Sequence, residues 1–138
     1  MSASARAEWK DGMAFDIEIQ GHHFEIDSAQ EFGGQNRGPT PKTLLLAGLA
    51  GCTGMDVVAI LQKMRQDWES FRVEVDAETA ESHPMVYTQI GLRYIFKGKN
   101  LDQSKVERAV SLSREKYCAV SAMLKETAAI THEILIDR

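Results

Sequence analysis

The sequence predicts an α+β fold with mostly antiparallel sheet around one long apolar helix, and three observations predict it. Segments near the start, in the middle and at the end of the chain alternate apolar and polar residues with period two. Residues 44–61 form a long, mostly apolar run that opens just after a proline. A shorter amphipathic pattern, residues 102–117, precedes the last alternating segment. Strands and helices therefore come in groups and not in regular β–α alternation. The 138 residues fit one domain, 1–138.

The first thirty residues read as short strands. Residues 5–9 lead to Asp11-Gly12, a dipeptide favoured in two-residue hairpins. Met13, Phe15, Ile17 and Ile19 then alternate with Ala14, Asp16, Glu18 and Gln20. Gly21 permits a second turn, and residues 22–26 read as a third strand. Residues 28–41 break regular structure through Gly33, Gly34, Asn36, Gly38, Pro39 and Pro41. Pro41 suits the first turn of a helix, with Thr40 as its N-cap. That helix is expected over residues 41–66, roughly 39 Å long.

Between Leu44 and Ile60 only Thr53 and Asp56 are polar, so the helix has no wet face. A helix apolar all round must be covered on every side, and one sheet covers one side. A second copy of the chain is the simplest cover, which predicts an obligate dimer with this helix at its centre. Gly48, Gly51 and Gly54 each cost about 1 kcal/mol of helix propensity relative to Ala. They allow close approach of another backbone beside Cys52; tight packing of helix on sheet would use them equally well. A membrane span is the competing reading of this run, but its length is at the lower limit and Asp56 inside it is costly. No membrane association is expected.

Two long strands follow. Phe71, Val73, Val75 and Ala77 alternate with Arg72, Glu74, Asp76 and Glu78. After a loop holding His83-Pro84, Val86, Thr88, Ile90, Leu92, Tyr94 and Phe96 repeat the pattern. In the amphipathic helix Val106, Ala109, Val110, Ser113 and Tyr117 share a face, with Arg114, Glu115 and Lys116 elsewhere. No Gly or Pro separates it from Cys118, so periodicity leaves open whether the helix continues or restarts there. Ile130, His132, Ile134 and Ile136 mark a closing strand.

Sixteen Lys+Arg against twenty Asp+Glu give a net charge of −4, the wrong sign for a nucleic-acid partner. The N-terminus has no apolar signal region, and a cytoplasmic location is expected. The two cysteines, Cys52 and Cys118, form no CxxC. A structural disulfide is unusual in a reducing compartment, and two buried small hydrophobes are the simplest reading. Cys52 lies well inside its helix, so the helix dipole helps it little and an arginine would have to reach it. Cys118 gains such help only if a new helix starts there. The histidines show no HxH or HExxH spacing, so no metal is expected. Asp56, one turn after Cys52, is expected to cap or to pair with a base across the dimer, with a catalytic acid as the lesser alternative. Met55, Met64, Met85 and Met123 read as core filling, with an apolar acyl pocket as the alternative.

Residues 41–61, PKTLLLAGLAGCTGMDVVAIL, resemble the central helix of the OsmC/Ohr family of osmotically inducible and organic hydroperoxide resistance proteins. Residues 112–121, LSREKYCAVS, resemble that family's second cysteine motif, and His83-Pro84 fits its OsmC-like branch. The resemblance implies an OsmC-like fold, an intertwined homodimer with central helices back to back, and two sites at the subunit interface. It implies a thiol-dependent peroxidase that reduces organic hydroperoxides: Cys52 as nucleophile becomes a sulfenic acid, and Cys118 resolves it to a disulfide. No cofactor is implied beyond an external dithiol reductant. The family's peroxidases place a Glu just after the proline that opens the helix, paired with an Arg near the nucleophile. Here that place reads Lys42-Thr43, so the Glu role is unfilled. Arg37 and Arg6 are the candidates for the Arg role. The departure keeps a second function in view: an OsmC-like protein that binds a small apolar molecule or senses redox state without turnover.

Overall fold

The computed structural model describes residues 1–138, which form two compact units, residues 1–45 and 46–138. The first is a three-stranded antiparallel meander of β1 (Arg6–Asp11), β2 (Ala14–Ile19) and β3 (His22–Ile26). Its turns fall where the sequence places them, with positive φ at Gly12 and at Gln20-Gly21. Ala14 and Ile17 are buried, whereas every residue of β1 is exposed.

The loop after β3 is tied down by one carboxylate. Asp27, 3% exposed, accepts hydrogen bonds from the backbone N–H groups of Ser28 (2.8 Å), Gln35 (2.9 Å) and Arg37 (3.3 Å). The Gln35 bond is foremost in holding its pKa below the ordinary 3.8, since each donor favours the charged form. Gly34 is required by close approach, because a Cβ there would lie 1.6 Å from the Ser28 carbonyl oxygen.

Helix α1 (Thr43–Lys63) is shorter at both ends than the expected 41–66. Pro41 and Lys42 form a turn before it, with Leu44 N–H on the Pro41 carbonyl and Leu45 N–H on that of Lys42. Thr40 and Thr43 bond through their hydroxyls. At the other end Arg65 turns the chain with a φ of 57°, and Gln66 N–H returns to the Leu61 carbonyl. Leu49, Thr53, Val57 and Leu61 recur every four residues and are all fully buried. The opposite face of α1 is apolar and exposed, with Leu45 50% and Met55 75% accessible and open space beside Gly48 and Gly51. By length and composition α1 is apolar enough to cross a membrane, a test that core helices also pass.

The second unit carries the sheet β4 (Ser70–Thr79), β5 (Tyr87–Lys97) and β6 (Ala129–Asp137), in that order. The inward residues of β5, Ile90, Leu92, Tyr94 and Phe96, share one apolar cluster with Leu49, Val57 and Leu61 of α1. β4 and β5 pair antiparallel as expected, but β6 lies parallel to β5, with Ile134 beside Tyr94 and Ile136 beside Phe96. The intervening helices carry the chain back to the starting end of the sheet, the crossover that parallel pairing needs. The architecture is α+β, with one antiparallel sheet and one mixed sheet.

That crossover also settles how the second helix ends. Asp102 caps α2 (Gln103–Leu112) by accepting from the Ser104 N–H. Residues Ser113–Tyr117 then widen into a π-helical turn, closed by Cys118 N–H on the Ser113 carbonyl at 2.8 Å. Cys118 is extended (φ −77°, ψ 103°) and begins α3 (Ala119–Leu124). The helix therefore restarts at Cys118. The extra residue in the π turn rotates Tyr117 out of the expected buried face to 53% exposure, while Ser113 stays fully buried.

Candidate active site

Two elements bring the chemistry together. α1 presents Cys52 and, one turn on, Asp56; the π turn delivers Cys118. The two sulfurs and an Asp56 carboxylate oxygen all lie within 4.8 Å of one another. Both cysteines are reduced, Cys52 half-buried and Cys118 3% exposed.

The environment treats Cys118 as a thiol. Burial, first, pushes its pKa from 9.0 up to about 11; hydrogen bonding to Cys52 and the charges of Cys52 and Asp56 push the same way. The Ser121 N–H, 3.3 Å from Cys118 Sγ, opposes this and is outweighed. The start of a helix at Cys118 supplies the donor that sequence reasoning asked for, yet desolvation wins.

Behind the sulfurs runs a buried chain of hydroxyls. Ser113 donates to Asp56 Oδ2 at 2.9 Å, Thr53 and Ser113 are 2.7 Å apart, and Tyr94 and Thr53 are 2.7 Å apart. Each hydroxyl has one proton, so Ser113's donation to Asp56 fixes the rest. Thr53 donates to Ser113 and Tyr94 donates to Thr53, in one direction toward the carboxylate. Burial pushes the Tyr94 phenol up, which keeps its proton available. Beside this chain, Arg114 donates to the Ile130 carbonyl at 2.6 Å and bonds His132 Nδ1, while its Nε is buried without a partner. Partial desolvation and the Arg114 charge hold the His132 pKa below 6.5.

The two arginines expected from the sequence have acidic partners within the first unit. Arg37 binds Asp11 and Glu25, each at 2.6 Å, and Arg6 pairs with Glu18 at 3.1 Å. Carboxylates of the first unit engage both guanidiniums. Asp56, read from the sequence as a cap or a partner of a base across the dimer, is the carboxylate of the thiol cluster. Thr53, Ser113, Tyr94 and Arg114 were not anticipated as site residues. The one sequence signal for the cluster is the i, i+4 spacing of Cys52 and Asp56; it does not reach these four, and the π turn that brings in Ser113 leaves no local pattern.

Two openings flank α1. A groove of about 500 Å³ runs along its exposed face past Gly51, Gly54, Met55, Phe71 and Val73. A cavity of about 360 Å³ is lined by Asp56, Ile60, Lys63, Leu112 and Tyr117, so Asp56 borders both the thiol cluster and this opening. Met55 and Met123 are exposed, at 75% and 66%, and so are not core filling within one chain.

The long helix packed against a mixed sheet is a fold that known proteins share. The sequence profile of the OsmC-like proteins matches residues 34–133, and the chain belongs to that family. It is 39% identical to protein YhfA of Escherichia coli K12 over 129 residues, 93% of either chain. The crystal structure of a hypothetical protein from Aquifex aeolicus superposes with a TM-score of 0.83 at 28% identity, covering 100% of this chain and 99% of that one. An organic hydroperoxide resistance protein OsmC from Legionella pneumophila shares the fold with a TM-score of 0.73 at 17% identity, covering 98% and 97%.

Proposed function

We propose that this chain is a thiol-dependent peroxidase that reduces organic hydroperoxides. The observation that carries the reading is the convergence of Cys52, Cys118 and Asp56 within 4.8 Å, from positions far apart in sequence. The half-buried Cys52 is the thiol open to substrate. Its thiolate attacks the outer oxygen of the hydroperoxide, the O–O bond breaks, and the alkoxide leaves as the alcohol after taking a proton. Cys52 is then a sulfenic acid. Cys118 passes its proton to Asp56, directly or through one water, and its sulfur attacks Cys52. The sulfenic oxygen leaves as water and a disulfide remains, which an external dithiol reduces with two electrons.

The exposed apolar face of α1 supports a homodimer, since large uncovered apolar surface marks an interface. The groove beside Gly51 and Met55 then becomes an apolar pocket between subunits, suited to an alkyl chain. The cytoplasm, where thiols stay reduced, suits this cycle. The name of the Legionella relative, a hydroperoxide resistance protein, agrees with it.

The test is mass spectrometry of the reduced chain after cumene hydroperoxide. A Cys52–Cys118 disulfide is expected, with Cys52→Ser inactive and Cys118→Ser accumulating a dimedone-reactive sulfenic acid. Thiols that stay reduced under excess peroxide overturn the reading. The place of Lys42-Thr43 where the family's peroxidases carry Glu favours a second one: a binding protein for a small apolar molecule, or a redox sensor. Native mass spectrometry showing a retained ligand on inert thiols would identify the binding protein.

A further inference from the structure

We infer that Cys52, Asp56 and Cys118 also form a binding site for a thiophilic divalent cation of the zinc class, which would withhold both sulfurs from peroxide. The inference stands on the geometry of the cluster and not on the peroxidase reading. Two sulfurs and one carboxylate oxygen within 4.8 Å of one another give a three-ligand set. Tetrahedral zinc, with Zn–S of about 2.3 Å and Zn–O of about 2.0 Å, places such ligands roughly 3.5–3.8 Å apart. The widest separation allowed here therefore needs to close by about one ångström. Rotation of the half-buried Cys52 side chain on α1 supplies a movement of that size.

The surroundings support each ligand. Ser113 donates to Asp56 Oδ2, which orients the carboxylate and leaves its other oxygen for an ion. The Ser121 N–H donates to Cys118 Sγ, a bond that a thiolate strengthens. Outer partners of this kind hold ligands in place at metal sites. The cavity lined by Asp56, Lys63 and Tyr117 opens beside the Asp56 carboxylate, which leaves room there for water as a fourth ligand. Two sulfurs select a borderline-soft d¹⁰ ion over magnesium or calcium, which take oxygen ligands. Binding displaces one proton from each thiol to solvent and involves no electron transfer.

Cobalt(II) is the probe, added to the full-length reduced chain after chelator treatment and without peroxide. One cobalt per chain is expected, with thiolate-to-cobalt absorption in the near ultraviolet and displacement by zinc. Cys52→Ser and Cys118→Ser should each remove that absorption, and Asp56→Asn should weaken binding at least about tenfold. Prior oxidation to the disulfide should abolish it. Absence of the absorption in the reduced wild-type chain overturns the site, a result that needs no variant to fold. Persistence of the bands in either Cys→Ser variant, or unchanged affinity in Asp56→Asn, overturns it equally. Because no peroxide is present, thiols inert to peroxide that still bind cobalt would sink the peroxidase and leave this site standing.

Discussion

Cys118 is 3% exposed with a pKa of about 11, whereas Cys52 stands half-buried on α1. The thiolate is the reactive form, so this difference sets which cysteine reagents reach first. At neutral pH iodoacetamide should alkylate Cys52 and spare Cys118, with Cys118 labelling only as the pH approaches its own value or after unfolding. Peptide mapping checks this, and equal labelling in the folded chain would contradict the burial. Thr53 tests the hydroxyl chain. Thr53→Val removes one donor and leaves Tyr94 and Ser113 each short of a partner in the core. The expected cost is about 1–3 kcal/mol in urea unfolding. An unchanged unfolding midpoint would show that the chain of bonds does not contribute.

At the level of elements, the loop following β3 depends on a single ionised group. Asp27 is held below the ordinary 3.8, so the folded state favours its charged form. The stability this contributes is present above 3.8 and is lost as the pH falls through the lower folded value. Amide exchange at Gln35 and Arg37 should therefore accelerate in acid below about pH 3.8, and Asp27→Asn should show fast exchange at every pH. Slow, pH-independent exchange at those amides would remove Asp27 from this role. The π turn is the other element with a consequence. It converts one helix into two, buries Ser113, turns Tyr117 outward and aims Cys118 at α1. Side chains of the preceding helix can follow a 3.6-residue period only as far as Leu112.

For the whole molecule, the question is what covers α1. Its buried stripe is satisfied within the chain, while Leu45, Met55, Gly48 and Gly51 face open space. If a second copy packs there, Met55→Glu places a charge in an apolar interface and should give a monomer by analytical ultracentrifugation. Wild-type protein sedimenting as a monomer at micromolar concentration would refute the dimer. The α+β class, the three N-terminal strands and the long apolar helix were legible in the sequence. Alternation, Gly turns and a proline-led start act within a few residues, and the structure keeps them. The parallel placement of β6 was not legible, because strand direction depends on where a crossover ends and not on the strand's own pattern.

The same division holds for the site. Short-range chemistry, in the form of apolar periodicity, turn residues and the two cysteine segments, decided the elements and the family. Tertiary packing decided which side chains meet: 66 residues separate Cys52 from Cys118, and no local rule relates them. Packing α1 against β5 brings Thr53 to Tyr94, the π turn brings Ser113 and Cys118 to α1, and burial then raises the Cys118 thiol. Packing also engaged Arg6 and Arg37 with carboxylates near them in the first unit. Ion pairs form through space, and sequence distance does not predict them.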